Sequence, residues 1–226
     1  MNEKGNSGSM KQLLWLIYTT KWLLAGTFGC FLAGTVWAAP TGFVLQIELS
    51  PAVCSIDSTQ KRTRQCLEGY SLTVSGLMPE GVSGKSCETS SVPTLTPVQK
   101  RVLMRIMPDE NAQARLWRSV GGCVSMNASQ YFRTMVNFAE KLNMPSEVTS
   151  PTSIRVNREW LQQRFSQLNT GMPTSALQLG CGSANRNSTT LLTDIRVCYQ
   201  TNGRYKTCHV ERVSSCPSQF VIQGSY

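Results

Sequence analysis

Apolar and polar positions alternate in Leu45-Gln46-Ile47-Glu48-Leu49, which predicts a strand that begins at Phe43 and ends at Ser50-Pro51. Tyr70 to Ser75 alternates again and predicts a second strand, running into a turn at Gly76-Leu77-Met78-Pro79. Between the two lies a stretch bracketed by Cys54 and Cys66, predicted as a loop, which carries Lys61, Arg62 and Arg64. Residues 80–94 are rich in Gly, Ser and Thr and read as loop.

The period then changes. Thr96-Pro97-Val98-Gln99 places a Thr/Gln capping box and a first-turn proline ahead of a short helix. Val98, Val102, Leu103 and Ile106 are predicted on its buried side, and Pro108 ends it. A second helix is predicted over 111–120, stopping at Gly121-Gly122. A third follows the cap Asn127 and buries Phe132, Met135, Val136, Ala139 and Leu142. A fourth is predicted over 158–168 with Trp160, Leu161 and Phe165 facing inward. Strands return at 176–179, 191–199, 206–213 and 220–222, with Asn202-Gly203 as a hairpin turn flanked by Cys198 and Cys208. Strands, then helices, then strands predict an α+β fold, a central and mostly antiparallel sheet with a run of helices packed on it.

The N-terminus bears on the compartment. Lys4, Lys11 and Lys21 precede a stretch without charge from Trp22 to Ile47, and Val36-Trp37-Ala38 supplies a small-residue cleavage site. That layout predicts a signal peptide over residues 1–38, hence a single mature domain over 39–226 that is periplasmic or secreted. An uncleaved anchor is the alternative, since about 18 apolar residues can just span a bilayer. Of nine cysteines, cleavage removes Cys30 and leaves an even set: 54, 66, 87, 123, 181, 198, 208 and 216. In an exported chain such a set implies disulfides, with the pairing left open by spacing alone. Zinc is disfavoured, because no C-x-x-C pair exists and the one histidine, His209, adjoins Cys208. No metal or small-molecule cofactor is expected. Losing Lys4, Lys11, Lys21 and Glu3 leaves 19 basic against 12 acidic residues, a net charge of +7. The surplus is compatible with a polyanion such as RNA or an acidic lipid face.

The stretches Phe43-Val44-Leu45…Cys54, Leu72-Thr73-Val74-Ser75-Gly76-Leu77-Met78-Pro79 and Leu116-Trp117-Arg118-Ser119-Val120-Gly121-Gly122-Cys123 resemble the ribonuclease T2 family, its bacterial ribonuclease I branch above all. The resemblance continues in order through Gln130-Tyr131-Phe132, the 157–165 helix, 177–181 and the ending Cys216…Phe220-Val221-Ile222…Tyr226. It implies bridges Cys54–Cys66, Cys87–Cys123 and Cys181–Cys216, leaving Cys198 and Cys208 for the hairpin. It also implies an endoribonuclease whose first motif reads leucine-threonine-x-histidine-glycine-leucine-tryptophan-proline. The second reads histidine-glutamate-tryptophan-x-lysine-histidine-glycine.

Here Ser75 stands at the first histidine, Leu116 at the glutamate, Ser119 at the lysine and Val120 at the second histidine. Met78 replaces the aromatic residue on which the family stacks a base. Cleavage of this kind needs a base for the 2′-hydroxyl, an acid for the departing 5′ oxygen and positive charge at the phosphorane. Valine and leucine transfer no protons, and losing one acid–base partner typically costs about 10²–10⁴ in rate. The expectation is therefore a catalytically degenerate protein that acts by binding an envelope protein partner or RNA. Arg115 and Arg118 are the residues that could still hold a phosphate, and Trp117 is expected in the core. Two alternatives are an active endoribonuclease built around His209, Arg115 and Arg118, and a membrane-tethered subunit of a secretion or DNA-transfer apparatus.

Overall fold

The computed structural model describes residues 39–82, 87–185, 188–209 and 215–225. The predicted signal peptide or anchor, 1–38, and residues 210–213 of the predicted hairpin strand lie outside the described residues. No helix among the described residues is long and apolar enough to cross a membrane.

Six strands form one sheet: β1 (Gly42–Leu49), β2 (Leu72–Glu80), β3 (Ile154–Asn157), β4 (Leu177–Gly182), β5 (Leu191–Tyr199) and β6 (Gln219–Ile222). Their order is β2-β1-β5-β6-β3, with β4 also paired to β5, and every pairing except β5 with β6 is antiparallel. Six helices accompany them: α1 (Ser50–Ile56), α2 (Arg64–Leu67), α3 (Pro97–Met104), α4 (Glu110–Val120), α5 (Ala128–Lys141) and α6 (Arg158–Leu168). The α+β architecture and the mostly antiparallel sheet agree with the sequence pattern. All four disulfides are present: Cys54–Cys66, Cys87–Cys123, Cys181–Cys216 and Cys198–Cys208.

The caps act where the sequence placed them. Thr96 accepts from Gln99 N, and Asn127 Oδ1 accepts from Gln130 N at 2.9 Å while Gln130 Oε1 accepts from Asn127 N at 3.0 Å. One face of β1, Phe43, Leu45, Ile47 and Leu49, is buried with Leu77, Ile195 and Val197 against the helices. Tyr131 of α5 latches that layer to β2, its hydroxyl donating to the Leu77 carbonyl at 2.8 Å and accepting from the Leu77 amide. A buried phenol is thus satisfied on both its donor and acceptor sides.

Several expectations are corrected. The predicted turn at Gly76–Pro79 is strand, because β2 continues to Glu80 along β1, absorbing one extra residue where the register shifts between Gln46 and Ile47. The cysteine-bracketed loop is largely helical, as α1, a 3₁₀ turn at Gln60–Arg62, and α2. Strand β3 was not anticipated: four residues that pair with β6 give too short a pattern to read. The predicted strand from Lys206 does not form over its described part. After the Asn202-Gly203 turn, one bridge joins Tyr199 to Tyr205, and the Cys208 amide then donates to Ser175 instead of β5. Val98 is 69% exposed and Trp160 39%, against the predicted burial. At 100° per residue Val98 lies about 140° around α3 from the fully buried Leu103, and Trp160 about 100° from Leu161.

Candidate functional site

The four positions that would carry chemistry fall on β2 and α4. Helix α4 starts at Asp109, whose carboxylate accepts from Asn111 N at 2.8 Å, and turns Gln113, Leu116, Trp117 and Val120 inward. Val120 is 0% exposed and Leu116 8%. Leu116 lies over Gly76 of β2: a Cβ there would stand 3.0 Å from Leu116 Cδ1 and 3.4 Å from Met78 Sδ. A Cβ there would push the leucine end back by a few tenths of an ångström. Ser119 turns outward, its hydroxyl spent on the Leu116 carbonyl at 2.8 Å. Trp117 is core, donating its indole N–H to Ser91 at 2.9 Å and packing on Tyr131.

Arg115 and Arg118 are exposed on the outer side of α4, and with Glu88, Thr89 and Ser119 they line a shallow, open depression. Arg115 pairs with Asp109 at 3.4 Å, and Arg118 Nε donates to the Ala114 carbonyl at 3.4 Å. Both contacts lie at the long end of hydrogen-bonding distance. His209 is exposed and lines a different cavity, so the structure does not bring it together with the two arginines.

That second cavity, about 300 Å³, sits against the outer face of the sheet, between β2, β1, β4 and the segment after the hairpin turn. Cross-strand partners share a face, so the register aligns this face of the sheet in rows. Met78, Val44 and Cys198 form one row; Gly76, Gln46, Arg196 and Gln178 the next; Thr73, Glu48, Asp194 and Gly180 the third. Of these, Met78, Val44, Cys198, Gln46 and Gln178 line the cavity, so its floor is apolar in the first row and amide-lined in the second, and the charged row lies on the same sheet face beyond it. The rim of this groove is fixed by the Cys198–Cys208 bridge, by Gln178 donating to the His209 carbonyl at 3.2 Å, and by the Lys206–Glu80 ion pair at 2.5 Å.

The charged row has its own electrostatics. Asp194 folds over Gly180, where any Cβ would collide with its carboxylate, and pairs with Arg196 at 2.8 Å. Glu48 is half-buried beside it. Burial, and then the neighbouring Asp194 charge, hold the Glu48 carboxyl above the usual carboxylate range, while a hydrogen bond from Ser75 pulls it the other way. Ser75 therefore works as a partner of Glu48 and of the Gln46 carbonyl, which it meets at 3.4 Å. Gln46, Glu48, Gln178, Asp194 and Arg196 were missed as candidates. The legible signal was polar residues two apart in otherwise apolar strands, Gln46 with Glu48 and Asp194 with Arg196, which a pleated strand must put on one face.

No family model matches the chain, and no curated protein sequence matches it. Solved structures do. Ribonuclease MC1 from bitter gourd seeds is 18% identical with a TM-score of 0.59, covering 79% of this chain and 98% of its own. RNase NT, solved with 5′-AMP, is 14% identical with a TM-score of 0.61, covering 82% and 98%. Japanese pear S3-RNase is 18% identical with a TM-score of 0.57, covering 79% and 98%. All three are T2 ribonucleases, and the chain has their fold. A disulfide-rich domain of this fold fits a secreted or extracellular protein.

Proposed function

We propose that this protein is exported by its N-terminal signal segment and acts by binding, as a ribonuclease T2-fold protein without the family's cleavage chemistry. The observation that carries the reading is Leu116 and Val120, which put two apolar side chains, 8% and 0% exposed, where the resemblance implies a carboxylate and an imidazole. A base, an acid and a cation must surround the reacting phosphate. Here Leu116 covers Gly76, Val120 is enclosed in the core, Ser119 bonds its own helix and Ser75 serves Glu48. None of the four can exchange a proton with a substrate at neutral pH.

Single-stranded RNA is the ligand to test first, with the exposed Arg115 and Arg118 as phosphate contacts and the amide-lined groove as a second contact surface. A protein partner of the cell envelope is the other ligand class. The disulfide-intact protein is mixed with a fluorescent RNA of about ten nucleotides, a typical single-strand site size. Anisotropy is followed at physiological salt, and the same sample is run on a gel. The expected result is binding with intact RNA, weakened in Arg115→Ala/Arg118→Ala. Neither binding nor cleavage would assign the fold to a protein partner, and cleaved RNA would overturn the reading.

A further inference from the structure

On the far side of α4's N-terminus, α2 and α3 form a second surface unconnected with the groove or with the reading above. A cleft of about 510 Å³ there is lined by Arg64, Tyr70, Lys100, Arg101, Arg105 and Glu110. Arg64 is neutralised by Glu68 at 2.6 Å. Lys100, Arg101 and Arg105 are exposed and have no ion pair among the described residues, and Glu110 is the one other acid in the cleft. Lys61 and Arg62, on the turn just before α2, are likewise exposed and unpaired among the described residues.

Two large aliphatic side chains stand out of the same elements. Leu67, one helical turn from Arg64, is 72% exposed, and Val98, one turn before Arg101 and two before Arg105, is 69% exposed. Residues three, four and seven apart share a helix face, so Val98, at the border toward α5, is presented with Arg101 and Arg105, while Lys100 lies on the other side of these two, toward the cleft. The aromatic residue of the cleft, Tyr70, is half-buried with its hydroxyl turned to the Met104 carbonyl. A single-strand reader offers free aromatic faces for bases to stack on. Unneutralised cations interleaved with protruding aliphatics instead match the headgroup zone of an acidic bilayer, charge meeting phosphate while the aliphatics enter the acyl boundary.

We infer that the α2–α3 surface docks on anionic membrane, through Lys100, Arg101 and Arg105 with Leu67 and Val98 as shallow anchors. The full chain is partitioned onto vesicles of phosphatidylcholine alone and of phosphatidylcholine with phosphatidylglycerol. The wild type is compared with Lys100→Gln/Arg101→Gln/Arg105→Gln. Residues 1–38, with Lys4, Lys11 and Lys21, are common to both proteins, so the difference between them isolates this surface. The triple variant is expected to lose on the order of a hundredfold in partitioning onto acidic vesicles, and nothing on neutral ones. The loss shrinks as salt is raised. Leu67→Ser/Val98→Ser, at exposed positions that leave folding intact by circular dichroism, is expected to weaken binding without changing its salt dependence. Equal partitioning of wild type and triple variant would overturn the inference. So would RNA binding that disappears in the triple variant while vesicle binding is unchanged, which would assign the surface to nucleic acid.

Discussion

If Leu116 and Val120 are core residues and not an emptied but open site, their substitution must be felt as loss of stability. Leu116→Ala removes a buried side chain that lies over Gly76, on a strand held by β1. Buried leucine-to-alanine changes span about 2–5 kcal/mol, transfer plus residual cavity. At 8% exposure and beside the sheet edge, position 116 can relax partly, which places the expected loss near 3 kcal/mol. For a domain of this size that lowers Tm by roughly 6–12 °C. Val120→Thr keeps the shape but puts a hydroxyl into a site with 0% exposure. Back-bonding to the Leu116 carbonyl, one turn earlier, offsets part of the penalty and leaves about 1–3 kcal/mol. Ser119→Ala lies between them on the exposed side and is expected within about 0.5 kcal/mol of wild type. Urea unfolding of the oxidised protein, followed by far-ultraviolet circular dichroism, ranks the three. Were Leu116→Ala and Val120→Thr as harmless as Ser119→Ala, the old site would be open and the argument for a silent enzyme would lose its main support.

Three further perturbations test other parts of the structure. Glu48→Gln removes a carboxylate that burial and Asp194 disfavour; because the folded pKa is raised, the wild-type carboxyl stabilises most below its ordinary value of 4.5 and that stability is lost as pH rises through the folded pKa. The variant should therefore be more stable than wild type at pH 7, with the advantage gone near pH 4, and a pH-independent difference would refute the assignment. Replacing Cys198 and Cys208 by alanine releases a loop of sequence separation 10 and should lower stability by about 2–3 kcal/mol in urea, with faster hydrogen exchange at the groove rim around His209. Asn127→Ala breaks the reciprocal cap of α5 and should lose about 1 kcal/mol by thermal melting, whereas Gly at the same position should lose only a few tenths.

How far the fold could be read from sequence follows from how far each pattern extends. Helix α6 and strand β5 came out with the bounds that their periodicity predicts, since each carries more than one full period and a cap or turn at its end. The end of β2 did not. Gly-Leu-Met-Pro reads as a turn locally, yet pairing with β1 across a register shift carries the strand through it, a tertiary term invisible to a window. The last hairpin failed for a related reason: Asn-Gly reverses the chain as expected, but Ser175 captures the amide of Cys208 that a strand would have given to β5. At the candidate site, residue identities told which side chains stand where the resemblance implies catalytic groups. They could not tell that Leu116 fills the space over Gly76, because that depends on the approach of α4 to a sheet edge 40 residues away in sequence.

Functional sites tend to be where a sequence breaks the local rules that elsewhere favour stability. By that standard the inner face of α4 follows the rules of a core: Leu116, Trp117 and Val120 continue one apolar stripe, and Asp109 caps the helix in the ordinary way. The broken rules lie elsewhere. A carboxylate is held half-buried beside a second one at Glu48 and Asp194, and Lys100, Arg101 and Arg105, on α3 and its C-cap, have no ion pair among the described residues. Glutamine at Glu48 would remove the first, and glutamine at Lys100, Arg101 and Arg105 the second, without disturbing the core. Under the binding reading proposed above, the outer sheet face and the α2–α3 surface join Arg115 and Arg118 as the places where ligand contacts should be sought.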